Sequence, residues 1–161
     1  MKKMRFFASM MLLACIAIFA TSCAEEGSPA DSIKGTYTGT YTVYTVVNGT
    51  QVSLGDPVTL ANLTITPITN TTATITTQAL SFTYTDNDGN EQGATFPNSL
   101  VPVTVAEAAS GYTLSGTFNV NTLNVSLEAE GTVNGGIIDV KLSFTMGRTP
   151  VVIAFSNAEV N

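Results

Sequence analysis

A chain of 161 residues with a formal net charge of −6 and no histidine is the length of one ordinary domain. Without imidazole there is no histidine-based triad, proton shuttle or histidine-held metal. The few Lys and Arg residues are not clustered as phosphate binding requires, so nucleic acid is not an expected partner.

At the N-terminus, Lys2, Lys3 and Arg5 form a basic region, and Phe6 to Ala20 is an uncharged, apolar run. That is the pattern of a secretory signal. A spanning helix needs about 20 consecutive apolar residues, whereas this run breaks into Thr21 and Ser22 ahead of Glu25 and Glu26. The segment Ala20-Thr21-Ser22-Cys23 resembles the lipobox of bacterial lipoproteins, with Ala20 where that family has a large aliphatic residue. In that family small residues precede a cysteine that is acylated and becomes the new N-terminus. Cys15 lies in the part that would be removed, which leaves Cys23 as a lone thiol, a reactive liability unless it is modified. The resemblance implies a lipoprotein signal peptide over residues 1–22 and lipid on Cys23, and the small, polar and acidic residues that follow make 23–32 a lipidated, flexible linker. The domain is then anchored to the outer membrane and does not span it.

Ala24-Glu25-Glu26 is similar to the acidic surface-export signals of some Gram-negative lipoproteins. Surface display is therefore expected ahead of a periplasm-facing orientation. After Cys23 the chain carries twelve acidic residues against Lys34, Lys141 and Arg148, a formal charge of −9. Such a surface favours neutral, apolar or cationic ligands over anionic ones. Asp31-Ser32-Ile33 resembles a three-residue O-glycosylation motif of exported proteins in some anaerobic bacteria, and a turn at the linker's end explains the same residues.

From residue 33 onward Thr, Val, Ile and Tyr dominate, and apolar residues alternate with period two. The first strand shows Tyr37, Gly39, Tyr41, Val43 and Val47 on one face and Thr36, Thr38, Thr40 and Thr42 on the other. Leu63 and Ile65, then Ala73 and Ile75, alternate with polar residues about a turn near Thr69-Asn70, which reads as a hairpin. Leu80, Phe82 and Tyr84 lead into the turn cluster Asp86-Asn87-Asp88-Gly89-Asn90, closing a second hairpin with Glu91 to Phe96. Val101, Val103 and Val105 follow. Pro97 and Pro102 lack amide donors, so this region reads as an edge, a bulge or a strand start.

In the last third, Tyr112, Leu114, Gly116 and Phe118 alternate with polar residues, as do Leu123, Val125, Leu127, Ala129 and Val133. Asn134-Gly135-Gly136 is a tight turn. Ile138, Val140, Leu142, Phe144 and Met146 then run to a turn at Gly147-Arg148-Thr149-Pro150, and Val151, Ile153 and Phe155 close the domain. Asp139 or Lys141 is expected opposite Glu128 or Glu130. Eight or nine half-buried strands leave a long exposed edge unless the sheet closes. The reading is therefore all-β: an antiparallel, meandering barrel of eight to nine strands, with a β-sandwich as the alternative. Gly39, Gly116, Ala129 and Gly131 on the apolar faces let curled strands approach one another.

This alternation, the short hairpin loops and the opening Gly35-Thr36-Tyr37-Thr38-Gly39 resemble the calycin-like, or lipocalin-like, β-barrel domain of bacterial lipoproteins over about residues 33 to 157, within a domain spanning 33–161. Lipocalins open with Gly-x-Trp and cover that tryptophan with a basic residue. Here Tyr37 takes the aromatic place, and Arg148 or Lys34 would be the cover. The resemblance implies a barrel for a small apolar ligand and no established activity.

No enzymatic function and no cofactor are expected, since Glu128 and Glu130 sit about 7 Å apart on the polar face of a regular strand, as surface acids do. Asp86, Asp88 and Asn90 are candidate calcium ligands; Pro97 stands where an EF-hand loop has its bidentate glutamate, and an Asp-Gly turn explains the same cluster. Sugar sites use stacking aromatics, for which Tyr37, Tyr41, Tyr44, Tyr84 and Tyr112 are the candidates. All but Tyr44 lie on apolar faces where core packing is expected, and Tyr44 on the threonine face is a surface-contact candidate. Two functions follow as expectations. The first is a lipid-anchored envelope protein that binds a small apolar molecule or a glycan within or at the mouth of its barrel. The second is an interaction subunit of an envelope complex, using an exposed apolar patch.

Overall fold

Alternating β-branched and aromatic residues favour extended chain with one dry face, and the computed structural model, which describes residues 25–157, is built that way. A one-turn helix α1 (Pro29–Ser32) precedes eleven strands: β1 (Gly35–Val47), β2 (Thr50–Ser53), β3 (Val58–Thr69), β4 (Thr72–Thr76), β5 (Leu80–Thr85), β6 (Glu91–Phe96), β7 (Leu100–Glu107), β8 (Tyr112–Val120), β9 (Val125–Asn134), β10 (Ile137–Met146) and β11 (Thr149–Ser156). Eight of them close in the order β1-β3-β4-β7-β8-β9-β10-β11 and back to β1, with β2 as a ninth strand beside β1. All these pairings are antiparallel. The barrel read from the sequence is present and the β-sandwich is not. Cys23 and the segment expected to be a signal peptide, residues 1–22, lie outside the described residues.

Inward side chains from every wall strand form one core that includes Tyr41, Leu63, Ile75, Val103, Leu114, Leu127, Leu142 and Ile153. An eight-stranded barrel has an interior just wide enough for side chains to fill. The seam between the first and last strands pairs Tyr41 with Phe155, whose rings lie 4.8 Å apart. Gly39 lies beside this seam, so close to the Ser156 backbone and the Phe155 ring that a Cβ would have no room. On the wet face, Thr36 and Thr64 are directly opposed across β1 and β3 and share a hydrogen bond of 3.0 Å.

Both ends of the barrel are covered by chain. At one end α1, capped at its start by Ser28, buries Ala30, and Ile33 just after it is also buried. The Ala30 amide donates to the Asn70 carbonyl at 3.1 Å, and the Glu25 amide donates to Asn70 Oδ1 at 2.6 Å. Residues 25–32 therefore pack as part of the domain. This corrects the expected flexible linker over 23–32 from residue 25 onward, residues 23 and 24 lying outside the described residues: Ala30 and Ile33 are apolar enough to dock against the barrel, and Pro29 starts the turn where its missing N–H costs nothing. At the other end the β5–β6 hairpin, inserted between the paired strands β4 and β7, folds over the opening and buries Leu80, Phe82 and Phe96. Thr77 and Ser99 clasp its base, the Thr77 amide donating to the Ser99 carbonyl at 3.0 Å.

Pro102 shows how a proline enters a wall strand. Its residue pairs with Thr74 of β4, while the ladder to β8 begins only at Thr104. The missing donor thus falls where β7 and β8 are not yet paired, and the region is a wall strand with a proline start on one side. Arg148 and Gly147 alone form the last turn, because Thr149 and Pro150 already pair within β11.

In β3 an extra residue interrupts the pairing with β1 between Gly39 and Tyr41, and Leu60 there has φ 54° while 85 % of its surface is exposed. A left-handed leucine costs about 1–2 kcal/mol, and exposure recovers none of it. Leu60→Asn, with a side chain that tolerates this conformation, is expected to stabilise the barrel by about 0.5–1 kcal/mol. Urea unfolding checks it, and a lowered midpoint would refute the strain.

Candidate functional site

At the lidded end, three turns converge on one groove. Its walls are Thr45 and Val47 of β1, Leu54 after β2, Tyr84 and Thr85 of β5, Glu91 of β6, Arg148 of the β10–β11 turn and Pro150 at the start of β11. The space they enclose is about 260 Å³, just below the usual range for a small-molecule site. Backbone and hydroxyl bonds hold the three elements to one another. The Thr83 amide donates to the Leu54 carbonyl at 2.8 Å, and the Arg148 amide donates to the Thr85 carbonyl at 3.0 Å. The Thr85 amide donates to Thr149 Oγ1 at 2.8 Å. A site pinned on three sides by the scaffold is positioned before any ligand arrives.

The lining combines an aromatic face, aliphatic walls, several hydroxyls, one guanidinium and one carboxylate. Among the described residues Arg148 has no carboxylate partner within 4 Å; the ion pair formed is Lys34 with Asp31, at 2.7 Å and at the opposite end. Such a mixed lining can stack a ring, accept and donate hydrogen bonds around it, and meet a polar substituent at the rim.

The five candidate tyrosines do not come together. Tyr84, half-buried, lines this groove. Tyr41 is in the core, where burial raises its hydroxyl well above the ordinary range. Tyr37 is half-buried at the α1 end, donates its hydroxyl to the Ile33 carbonyl at 2.8 Å, and is raised by the same desolvation. It lines a second, larger groove of about 650 Å³ along β1 with Leu60. Tyr112 packs against the core. Tyr44 does lie on the threonine face but is only 9 % exposed, so it is packed rather than offered to a partner. Arg148 and Tyr37 are at opposite ends of the barrel, so Arg148 does not cover that aromatic; Lys34, the other candidate, is held by Asp31.

The calcium candidates share one turn. Asp86 spends its carboxylate on that turn, accepting from the Asn90 amide at 2.8 Å, the Asp88 amide at 2.9 Å and the Gln92 side chain at 3.0 Å. Among the described residues no group of three or more acidic or cysteine side chains is placed to hold a metal. The same bonds, the Asn90 amide foremost, hold the Asp86 carboxyl below its usual range. A carboxyl lowered in the folded state supports the turn above its unfolded pKa, and that support is lost as pH falls through the lowered folded value. The Asn90 amide signal should therefore titrate with a midpoint below that of free aspartate, and Asp86→Asn should abolish the titration. A midpoint at or above the ordinary value would contradict the bonding.

Glu128 and Glu130 project from the outer face of β9, with Lys141 directly opposite Glu130. Ser32 is exposed, its hydroxyl donating to the Ser28 carbonyl at 2.9 Å. The β1–β2 hairpin was not foreseen. Its signal is the dipeptide Asn48-Gly49 between Val-Val and Thr-Gln-Val, and both residues have positive φ, 51° and 79°, as a tight hairpin turn requires. It leaves Val46, Val47 and Val52 about half exposed, at 49 %, 50 % and 45 %.

Fold and groove together define an antiparallel eight-stranded barrel with a small mixed-polarity site at one mouth. No family model, no curated protein and no solved structure matches the chain. No helix among the described residues is long and apolar enough to cross a membrane.

Proposed function

We propose that this chain is a non-enzymatic, lipid-anchored protein of the cell envelope, held to the outer membrane through acylated Cys23, which binds a small ligand at the mouth of a calycin-like barrel. The single observation that carries the ligand reading is the groove of Tyr84, Val47, Leu54, Thr85, Glu91 and Arg148, fixed by bonds between its three turns. Its hydroxyls, the Arg148 guanidinium and the Glu91 carboxylate favour a glycan ring over a purely apolar molecule, which would leave those groups without hydrogen-bond partners. The packed core supports a ligand at the mouth rather than within the barrel. The lipobox-like residues up to Cys23 and the acidic residues after it support the address.

Titration with neutral monosaccharides and with medium-chain alcohols, followed by amide shifts, tests the site. Sugars should move the amides of Tyr84, Thr85 and Arg148 at millimolar concentration, and Tyr84→Ala should weaken binding about tenfold, the loss of one stacked ring at about 1.4 kcal/mol. Shifts produced only by the alcohols would favour the apolar ligand, and no shift with either would remove the site.

A second reading, an interaction subunit of an envelope complex, is favoured by the exposed Val46, Val47 and Val52 on the protruding hairpin. Crosslinking from Gln51 in intact cells tests it; recovery of the uncrosslinked protein alone counts against it.

A further inference from the structure

We infer that the end of the barrel covered by α1 rests against the lipid surface, so that the lidded end and its groove point away from the bilayer. The inference rests on the proposed acylation of Cys23. Only Ala24 separates Cys23 from Glu25, and two residues of chain span at most about 7 Å. Glu25 is already fixed to the barrel, its amide on Asn70 Oδ1 at 2.6 Å, and Ala30 is buried and bonded to the same residue's carbonyl. The anchor therefore leaves the domain no free tether on which to turn over. A strand of 10 residues, such as β10, rises about 3.4 Å per residue and tilts about 40°, which sets the two ends roughly 25 Å apart.

The rim of the α1 end is suited to this contact. Ile68, two residues before Asn70, and Ile137, directly after the Gly135-Gly136 turn, are each about half exposed, at 47 % and 46 %. Lys34 at the same end is neutralised by Asp31, while Glu25 is bonded to Asn70 and Glu26 is close enough to act on the Lys34 charge. Acidic residues with no free cation disfavour anionic lipid and suit a zwitterionic surface.

The test uses the full, lipidated chain in phosphatidylcholine vesicles that carry an acceptor dye on the headgroup. With Cys23 acylated, the processed chain has no other thiol, so Thr71→Cys and Asn87→Cys place a donor dye at one end or the other, both at exposed turn positions. The Thr71 label is expected to lose most of its donor emission and the Asn87 label little. Equal loss at both positions, or the reverse order, overturns the orientation. A twelve-residue Gly-Ser insertion between Ala24 and Glu25, with a reach of about 20 Å, should bring the two labels toward equal emission. A contrast that survives the insertion overturns the short tether as its cause. Flotation reads the anchor separately: a chain that stays unbound, or a Cys23→Ser variant that floats as well as the native one, sinks the lipidation itself.

Discussion

Phe144→Ala is expected to destabilise the domain by about 3–5 kcal/mol and to loosen the lid along with it. Phe144 belongs to β10, yet its ring lies 6.0 Å from Phe82 of β5, edge on, and 6.0 Å from Phe96 of β6, stacked. It is the side chain through which the barrel wall holds both strands of the hairpin. Removing it opens a cavity beneath the lid and discards two aromatic contacts worth about 0.5–1.5 kcal/mol each beyond their buried area. Urea unfolding gives the loss, and amide exchange across β5 and β6 should accelerate more than across β9. If the two regions changed alike, or the loss stayed under about 1 kcal/mol, the lid would not depend on this ring.

The second large effect is at the seam. Gly39→Ala introduces a methyl group 2.8 Å from the Phe155 ring and 2.9 Å from the Ser156 carbonyl carbon. A ring can rotate away, but a backbone carbonyl moves only if the ladder between Thr40 and Ser156 moves with it. Overpacking commonly costs about 1–3 kcal/mol, and a clash against main chain at the closure of a barrel belongs at or above the top of that range. The control is Gly93→Ala in β6, where nothing lies within 4 Å of the added group; it should be neutral or gain a few tenths of a kcal/mol from reduced freedom of the unfolded chain. Unfolding midpoints for the two variants decide the matter. Similar values would mean that the seam tolerates the methyl.

The barrel was legible because its signal is repeated. Tyr112 to Phe118, Leu127 to Val133 and Ile138 to Phe144 each state the same two-residue period, and Gly135-Gly136 states the turn between the last two. The pieces that escaped are those where a short segment obeys a tertiary partner. Pro29–Ser32 is too brief to show a helical period and is ordered by Asn70, forty residues further on. The Leu60 bulge is carried by a residue that does not ordinarily mark one. The β1–β2 hairpin did leave a trace, in Asn48-Gly49, but the flanking runs of Val and Thr do not alternate cleanly.

The site was less legible than the fold. Tyr84 could be named from its type, whereas Thr45, Leu54 and Arg148 come from three separated stretches that meet only once the sheet has closed. Tyr44 misled for a related reason. Its strand parity gave the correct face, but parity cannot say what lies over that face.

Thr76 and Leu100 face each other directly in the β4–β7 ladder, so the twenty-three residues between them form a detachable cassette rather than a stave of the cylinder. A two-residue turn could join the same pair without disturbing any wall pairing. Natural variation can therefore rewrite one whole side of the mouth by exchanging a contiguous piece of gene while the closed wall is inherited intact. The surface at the mouth is free to diverge faster than the scaffold that presents it.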